Sequence, residues 1–315
     1  MHLNGIHHIS AITGDALANV DFYTRVMGMR LIAKTVNQDD PGAYHLFYGD
    51  EHGRPGFDLT FFEYPGAMPG RVGAGVPHRI RWRVGSPAAL EFWERRLEGE
   101  GRATRREGDA LVFADPEGLE HALVPYDGPD PPLAATHPEV PAEHALLGFD
   151  GVHVYSAVPD ATRAVLEGLM GATASPDGAI DVRGGSRGGW VQVDAAPGGE
   201  FARQGAGVVH HIAFATNDDD QPSWDQRVRA VGIPTSGIVD RHFFRSVYFR
   251  EPGGLLFELA TEEPGFGVTG PEDRLGMDLF LPPWLEPRRE LIESRLVRIP
   301  DPRADWPGRP AGAAA

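Results

Sequence analysis

Two histidine doublets stand about 200 residues apart in this chain, each followed by isoleucine and a small residue: His7-His8 and His210-His211. Both lie in β-type runs, where successive side chains point to opposite faces of a sheet. One histidine of each doublet can therefore face a cavity while its neighbour points away or supports it. Two inward histidines from distant strands, together with one carboxylate, would make an iron site of the kind that oxygenases use.

The carboxylate that best completes such a site is Glu258. It lies in the segment 251–259, where a Pro-Gly-Gly turn leads into an apolar β-type run. A carboxylate buried there is costly unless it is paired or bound to a metal. A second segment of the chain repeats the pattern without the ligands. When the two segments are aligned, Ala122 corresponds to Glu258 and Arg79 corresponds to His211. The scaffold therefore does not itself require His211 or Glu258, which favours a functional role for both.

Four segments with the order β-α-β-β-β position these residues, so the predicted fold class is α+β with an internal repeat. In the first segment Asp15 is a plausible helix N-cap, and Gly28 stands where a C-cap glycine is expected. The other three segments begin near His78, Phe149 and Val208. The two doublets thus open the first and the fourth segment.

The composition excludes several classes of protein. The 315-residue chain has a net charge of −16 and no basic run, which argues against binding to nucleic acid or to an anionic membrane. With no cysteine, any metal must be held by His, Asp or Glu. The start of the chain lacks a basic region followed by an apolar run, and no stretch approaches about 18 apolar residues. We therefore expect a soluble, cytoplasmic protein.

The repeat, the doublets and the Glu258 segment together resemble the vicinal oxygen chelate superfamily, which includes glyoxalases and extradiol dioxygenases. Within it, five stretches are similar to the hydroquinone-type ring-cleaving dioxygenases, the group that includes dichlorohydroquinone dioxygenase. These stretches are Ile6–Ser10, Asp21–Gly28, Tyr44–Leu46, Val209–His211 and Leu275–Leu279. The resemblance extends from residue 1 to about residue 297.

The resemblance implies two glyoxalase-like domains with cupped mixed β-sheets, each domain built from two βαβββ units. By sequence order the N-terminal domain would span residues 1–128 and the C-terminal domain residues 146–263. A C-terminal extension, residues 264–315, would follow, with one helix around 285–296 and a disordered tail from Pro300.

In that family the second histidine of each doublet binds the metal, which carries over to His8 and His211, with Glu258 as the third ligand. Two histidines and one carboxylate with open positions suit Fe(II) that meets O₂ and a phenolate. His153 is an alternative to His8. It stands at the third unit's equivalent of His211, and in catechol-type enzymes the third and fourth units build the site. His8 is favoured because its doublet matches that of the fourth unit.

The resemblance also implies four candidate catalytic residues. Arg241 and Tyr248 stand 17 and 10 positions before Glu258, where the family has an arginine and a tyrosine beside the substrate. A guanidinium stabilises an oxyanion, and a tyrosine hydroxyl holds an oxygen or passes a proton. His7 and His210 carry over as groups that transfer protons or orient the neighbouring ligands.

Two further residues are candidates for substrate binding. Ser10 stands where the family usually has threonine and keeps the hydroxyl, and His242 replaces a small residue and would alter the pocket wall. His45 belongs to one of the similar stretches, but a structural role suits it better than a functional one.

The predicted activity is that of a non-haem Fe(II) ring-cleaving dioxygenase of the extradiol type. Its partners would be O₂ and a small aromatic substrate, a hydroquinone or a catechol. Because members of the family often associate, the resemblance also implies that the protein can form a homo-oligomer. Two alternatives stay open. One is a glyoxalase-type metal-dependent lyase, isomerase or transferase, for which no fourth carboxylate is evident on a metal-facing strand. The other is a non-catalytic small-molecule binding protein of the resistance type, which needs no metal.

Overall fold

A computed structural model describes residues 1–185 and 187–306. Its strands fall into four sets of four, as the repeat predicts. In chain order the strands are β1 (Ile6–Thr13), β2 (Arg30–Val36), β3 (Tyr44–Gly49), β4 (Asp58–Glu63), β5 (Val76–Val84), β6 (Thr104–Glu107), β7 (Ala110–Ala114), β8 (Glu120–Pro125), β9 (Leu146–Ser156), β10 (Thr173–Ala174), β11 (Ile180–Asp181), β12 (Trp190–Ala195), β13 (Val209–Thr216), β14 (Thr235–Asp240), β15 (Arg245–Arg250) and β16 (Leu256–Thr261).

A helix follows the first strand of every set, and one more lies in the C-terminal extension. The α-helices are α1 (Ala16–Asp21), α2 (Pro87–Gly99), α3 (Pro159–Ala164), α4 (Gln221–Ala230) and α5 (Arg289–Glu293). π-Helical turns at Phe22–Val26 and Val165–Leu169 extend α1 and α3. One-turn 3₁₀ helices cover Ala142–His144, Pro197–Gly199, Asp218–Asp220, Phe266–Thr269, Glu272–Arg274 and Glu286–Arg288. The predicted α+β class is confirmed.

Capping residues fix where the first two helices begin and end. The Asp15 carboxylate accepts hydrogen bonds from two N–H groups of the first turn of α1. Gly28 follows the helical segment with a φ of +69°, a conformation that glycine adopts without strain. Ser86 caps α2, and a proline follows it at the first helical position. The buried face of α2, which includes Trp93 and Leu97, packs into the main apolar core.

The two sheets pair the sets in an order that local sequence patterns do not reveal. The first sheet runs β14-β15-β16-β13-β1-β4-β3-β2, and the second runs β10-β11-β12-β9-β5-β8-β7-β6. At the centre of each, two first strands meet antiparallel: β1 with β13, and β5 with β9. Each of these strands also pairs in parallel with the last strand of its own set. Each mixed sheet thus joins one set from residues 1–128 with one set from residues 146–263.

The C-terminal extension packs against the first set. The Lys34 ammonium on β2 donates hydrogen bonds to the carbonyl oxygens of Met277 and Ile299, at 3.0 and 2.8 Å. Arg303 is buried and forms an ion pair with Glu51 at 2.7 Å. The predicted disorder from Pro300 therefore does not hold for residues 300–306, because this ion pair anchors them. Residues 307–315 lie outside the described residues.

Among residues 1–185 and 187–306, no helix combines the length and the apolar character needed to cross a membrane.

Candidate metal centre

Three ligand atoms converge on one face of the first sheet. His8 Nε2 lies 3.1 Å from Glu258 Oε2 and 3.3 Å from His211 Nε2, and His211 Nε2 lies 2.8 Å from Glu258 Oε2. The three strands that carry them are neighbours in the sheet. Metal bonds of about 2.1 Å at right angles separate neighbouring ligand atoms by about 3.0 Å. These residues, called the triad below, therefore have the spacing of one face of an octahedral metal site.

The Glu258 carboxylate is fully buried. Its Oε1 accepts a hydrogen bond from Ser246, whereas Oε2 has no hydrogen bond of normal geometry within the described part of the chain. Burial alone would raise the pKa of Glu258, but the adjacent imidazoles of His8 and His211 hold the pKa well below its ordinary value. An ionised, buried oxygen that faces two imidazole nitrogens without a proper hydrogen bond fits a metal ligand.

Two β-bulges bring both histidines of each doublet to this face. The pairing of β1 with β13 shifts register at His7 and again at His210, and each of these residues is an extra residue on its strand. A bulge bends the strand and re-aims its side chains. Each extra histidine consequently meets its neighbour: His7 Nδ1 lies 2.9 Å from His8 Nδ1, and His210 Nδ1 lies 2.8 Å from His211 Nδ1.

His7 sets the tautomer of His8. His7 Nε2 lies 3.1 Å from the carbonyl oxygen of Thr261, which can only accept a hydrogen bond, so this nitrogen carries the proton. Burial, with a contribution from His8, lowers the pKa of His7 to about 3, so the ring is neutral near pH 7 and its Nδ1 is an acceptor. His8 therefore donates from Nδ1, and the lone pair on its Nε2 is free to bind a metal.

His210 supports His211 and also lines the cavity beside it. Burial lowers the pKa of His210 to about 3, and the positive charge of Arg250 and the neighbouring His211 add to the shift. On the cavity side the His210 ring meets Phe62 edge-on, with ring centroids 5.8 Å apart. The predicted helper roles of His7 and His210 thus have a geometric basis.

A cavity of about 350 Å³ adjoins the triad and is lined in part by His8 and His211. This volume lies near the lower end of the range for small-molecule sites, about 300–1,000 Å³. Its wall combines aromatic rings with polar groups. The main lining residues besides histidines are Phe47, Phe62, Phe243, Phe244, Arg241 and Tyr248.

Arg241 and Tyr248 lie together beside the triad, as the sequence predicts. Arg241 Nε lies 3.3 Å from the Tyr248 hydroxyl, and Arg241 Nη1 lies 3.2 Å from a carboxylate oxygen of Asp39. Tyr248 is opposite Glu258 in the pairing of β15 with β16, and its ring is edge-on to His211 at 5.8 Å. Burial and the Glu258 charge raise the pKa of Tyr248, so its hydroxyl stays protonated at neutral pH.

The two predicted substrate-binding residues do not line the cavity. Ser10 is fully buried, with its Oγ 2.7 Å from the hydroxyl of Thr60. His242 has a φ of +72° and stacks on Phe280 of the C-terminal extension, with ring centroids 5.0 Å apart. The turn at His242 thus directs its ring to the extension rather than to the cavity wall.

Two residues that sequence patterns did not assign to the site reach it. Ser246 bonds to Glu258 from the neighbouring strand, 12 positions earlier in the chain. His45 lines the cavity, and its Nε2 lies 3.0 Å from the Thr60 hydroxyl. Burial lowers the pKa of His45 well below its ordinary value. The Tyr44–Leu46 stretch was itself part of the resemblance, which is the one signal that pointed to His45.

His153, the alternative ligand, lies in the second sheet next to His78. It is opposite Arg79 in the pairing of β5 with β9, whereas Ser10 is opposite His211 in the pairing of β1 with β13. By this register His153 corresponds to Ser10 and not to His211. The structure therefore does not bring His153 to the triad.

Comparison with known proteins shows similarity over almost the whole chain. Residues 5–123 and 86–259 match the model of the "Glyoxalase/Bleomycin resistance protein/Dioxygenase superfamily". The Bacillus subtilis protein MhqA, provisionally named a ring-cleaving dioxygenase, is 38% identical over 95% of this chain and 100% of its own length. A chlorohydroquinone/hydroquinone 1,2-dioxygenase of Sphingobium indicum is 30% identical over 90% of this chain and 93% of its own length.

A solved structure shows the same similarity at the level of the fold. The crystal structure of a provisionally named dioxygenase from Bacillus subtilis is 38% identical in sequence and superposes with a TM-score of 0.88 over 95% of this chain and 98% of that one. With the family match and the two sheets of repeated units, it follows that this chain belongs to the glyoxalase/bleomycin resistance protein/dioxygenase superfamily.

Proposed function

We propose that the protein is a non-haem Fe(II)-dependent dioxygenase that cleaves the ring of a hydroquinone or catechol-type phenol with O₂. The observation that carries this proposal is the triad, in which two imidazoles and one carboxylate occupy a single face and adjoin a small cavity. Such a set leaves coordination positions open to a substrate and O₂. The names of the relatives support the same reaction class.

Iron held by the triad would supply Lewis acidity and the electron density that O₂ needs to react with a phenol. The phenylalanines of the cavity wall, Phe62 and Phe244 among them, would hold the aromatic ring of the substrate and exclude water. The Arg241 guanidinium would stabilise negative charge on a substrate oxygen. The Tyr248 hydroxyl, which stays protonated, would donate a hydrogen bond to such an oxygen.

In the overall reaction we propose, one carbon–carbon bond of the ring breaks next to a hydroxyl group. Both atoms of O₂ enter the ring-opened product, so no external reductant is required. Cleavage next to, and not between, two adjacent hydroxyl groups would make the reaction extradiol in type for a catechol.

The number of ligands in the triad also favours this proposal over the glyoxalase alternative. In the described residues, the cluster of possible ligands at this position comprises His8, His211 and Glu258, with no fourth His or carboxylate. Glyoxalase-type chemistry commonly uses a fourth protein ligand, whereas O₂ chemistry benefits from the open position. The resistance-type alternative predicts small-molecule binding that does not depend on Glu258.

The decisive experiment is oxygen uptake by protein reconstituted anaerobically with Fe(II), measured with a panel of hydroquinones and catechols. We expect one O₂ consumed per ring cleaved and a product that carries two new oxygen atoms when ¹⁸O₂ is used. Glu258→Ala should lose most of its iron and all uptake. No uptake with any phenol by iron-loaded protein would overturn the proposal, and turnover without O₂ would favour the glyoxalase alternative.

A further inference from the structure

A second group of metal-type ligands lies on the other sheet. His78 on β5, His153 on β9 and Asp194 on β12 each place one ligand atom within 4.8 Å of the other two. The three strands are neighbours in the second sheet. This group, called the His78 cluster below, is separate from the triad, and the proposed reaction does not use it.

A β-bulge brings the two histidines of this cluster together, just as bulges bring together the two rings of each doublet. The pairing of β5 with β9 shifts register at His78, just as the pairing of β1 with β13 shifts at His210. The bulge brings the His78 ring near that of His153, with centroids 5.7 Å apart. The His78 ring also stacks on Tyr155, with centroids 3.8 Å apart and 12° between the planes. This stacking holds the ring in place before any ion binds.

In the described part of the chain, one nitrogen of each imidazole lacks a hydrogen-bond partner. His78 Nε2 and His153 Nε2 are both buried and have no hydrogen-bond partner in the described ranges, which is unusual for buried polar atoms. His153 Nδ1 lies 3.8 Å from Asp194 Oδ2, too far for a hydrogen bond but near the separation of about 3.4 Å between ligands of a tetrahedral metal. Burial lowers the pKa of His78 to about 4, so this ring is neutral near pH 7.

The charges around the cluster permit a cation. Arg79, which lies opposite His153, forms ion pairs with both Glu107 and Glu120. These carboxylates partly offset the positive charge of Arg79, which still adds to the effect of burial in lowering the pKa of His78 and of His153. Asp194 is 43% exposed, so it adds a negative charge at the solvent edge of the cluster.

We propose that His78, His153 and Asp194 form a second divalent-cation site, which takes a borderline metal of the Zn²⁺ type. Two imidazoles and one carboxylate are a usual donor set for zinc, and a water would fill the fourth position on the exposed side. The ion would tie β5 of the second set to β9 and β12 of the third set, across the central seam of the second sheet. This role is structural, and it does not rest on the proposed dioxygenase function.

Zinc stoichiometry of the full-length, metal-free chain tests the proposal. Zn²⁺ is titrated in competition with a chromophoric chelator, and bound zinc is confirmed by elemental analysis. We expect Asp194→Asn to bind one equivalent less than the wild type, whatever the triad holds. Asp160→Asn, at an exposed aspartate of the same set, is the matched control and should keep the full count. The Asp194 substitution is nearly isosteric at a partly exposed position, and circular dichroism checks that the variant is folded.

A second comparison keeps the two sites apart. In a Glu258→Ala background, where the triad is disabled, we expect one zinc equivalent to remain and to be lost on addition of His153→Ala. Equal zinc counts in the wild type and in folded Asp194→Asn would overturn the proposal. So would loss of all zinc from Glu258→Ala alone. Failure of the dioxygenase proposal would show in oxygen uptake and would leave these zinc counts unchanged.

Discussion

Replacing His7 with phenylalanine should weaken metal binding although no ligand is removed. Phenylalanine keeps the ring contacts with His8 and Phe244, whose centroids lie 5.0 and 5.1 Å away, but it forms neither hydrogen bond of His7. In the metal-free variant His8 can move its proton to Nε2, which lies 3.1 Å from Glu258 Oε2. Metal binding then forces the proton back to Nδ1, where it has no acceptor.

The size of the effect follows from that lost acceptor. A buried donor without a partner costs about 1–3 kcal/mol, which corresponds to about a 5- to 150-fold increase in the dissociation constant for the metal. Loss of a group that orients a metal-binding histidine typically costs about 10–100-fold. We therefore expect His7→Phe to bind Fe(II) more weakly by a factor of tens. Excess iron should restore part of the activity that the variant has lost.

The assay is anaerobic competition for Fe(II) against a chromophoric chelator. His7→Gln is the matched rescue variant, because its amide can accept from His8 Nδ1 and donate to the carbonyl of Thr261; we expect its affinity to lie closer to that of the wild type. His144→Phe, at a histidine outside the triad and the His78 cluster, serves as the control. The tautomer reasoning is refuted if folded His7→Phe binds iron as tightly as the wild type, or if His7→Gln binds no better than His7→Phe.

Three further outcomes are expected. Tyr248→Phe should lower kcat by about tenfold or more with iron content unchanged, so a variant with wild-type kcat would remove Tyr248 from the chemistry. Ser246→Ala leaves Glu258 Oε1 without its donor and should weaken iron binding by about 5-fold or more; unchanged affinity in chelator competition would contradict this. Burial lowers the pKa of His121 from 6.5 to about 3. Between these two pH values the imidazole is therefore protonated in the unfolded chain and neutral in the folded protein. The stability due to a neutral His121 is complete above about pH 6.5 and is lost as the pH falls toward 3, by at most about 1.4 kcal/mol per pH unit. His121→Gln should flatten this slope in urea unfolding between pH 7 and pH 5, and an equal slope would contradict the assignment.

Local patterns were sufficient to predict the repeat. The N-cap at Asp15 and the glycine at Gly28 bound the first helical segment in the structure as in the sequence. The order β-α-β-β-β could be predicted in all four segments because apolar alternation and turn residues are patterns of near neighbours in the sequence. The same patterns located Glu258 on a buried strand, since a carboxylate within an apolar run is conspicuous.

Strand pairing in the sheets depends on contacts between distant segments, so local sequence patterns do not predict it. His8 and His211 are 203 positions apart and meet because β1 pairs with β13. The alternative ligand His153 depended on the third and fourth sets building the site together, as in catechol-type enzymes. In the structure the third set pairs with the second, which removes His153 from the neighbourhood of Glu258.

The bulges were equally invisible in the sequence, because one extra residue in a strand changes neither composition nor alternation enough to be noticed. Strict alternation would turn His7 and His210 to the far side of the sheet. The register shifts at these two residues let them meet the ligand rings instead. The support that each doublet's first histidine gives to the second is thus a property of the strand pairing, which only the fold supplies.

The second sheet offers a test of what the fold needs. In the first sheet Ala213 lies opposite two members of the triad, one on each flanking strand. In the second sheet Arg81 has the same position and lies opposite Gly151 and Ala122, while Arg79 takes the place of the third member. The same strand arrangement therefore forms with glycine, arginine and alanine at these positions. The fold therefore does not itself require a buried carboxylate and two buried imidazoles in the first sheet. This supports the proposal that they bind a ligand between them, and a metal ion fits their spacing and chemistry.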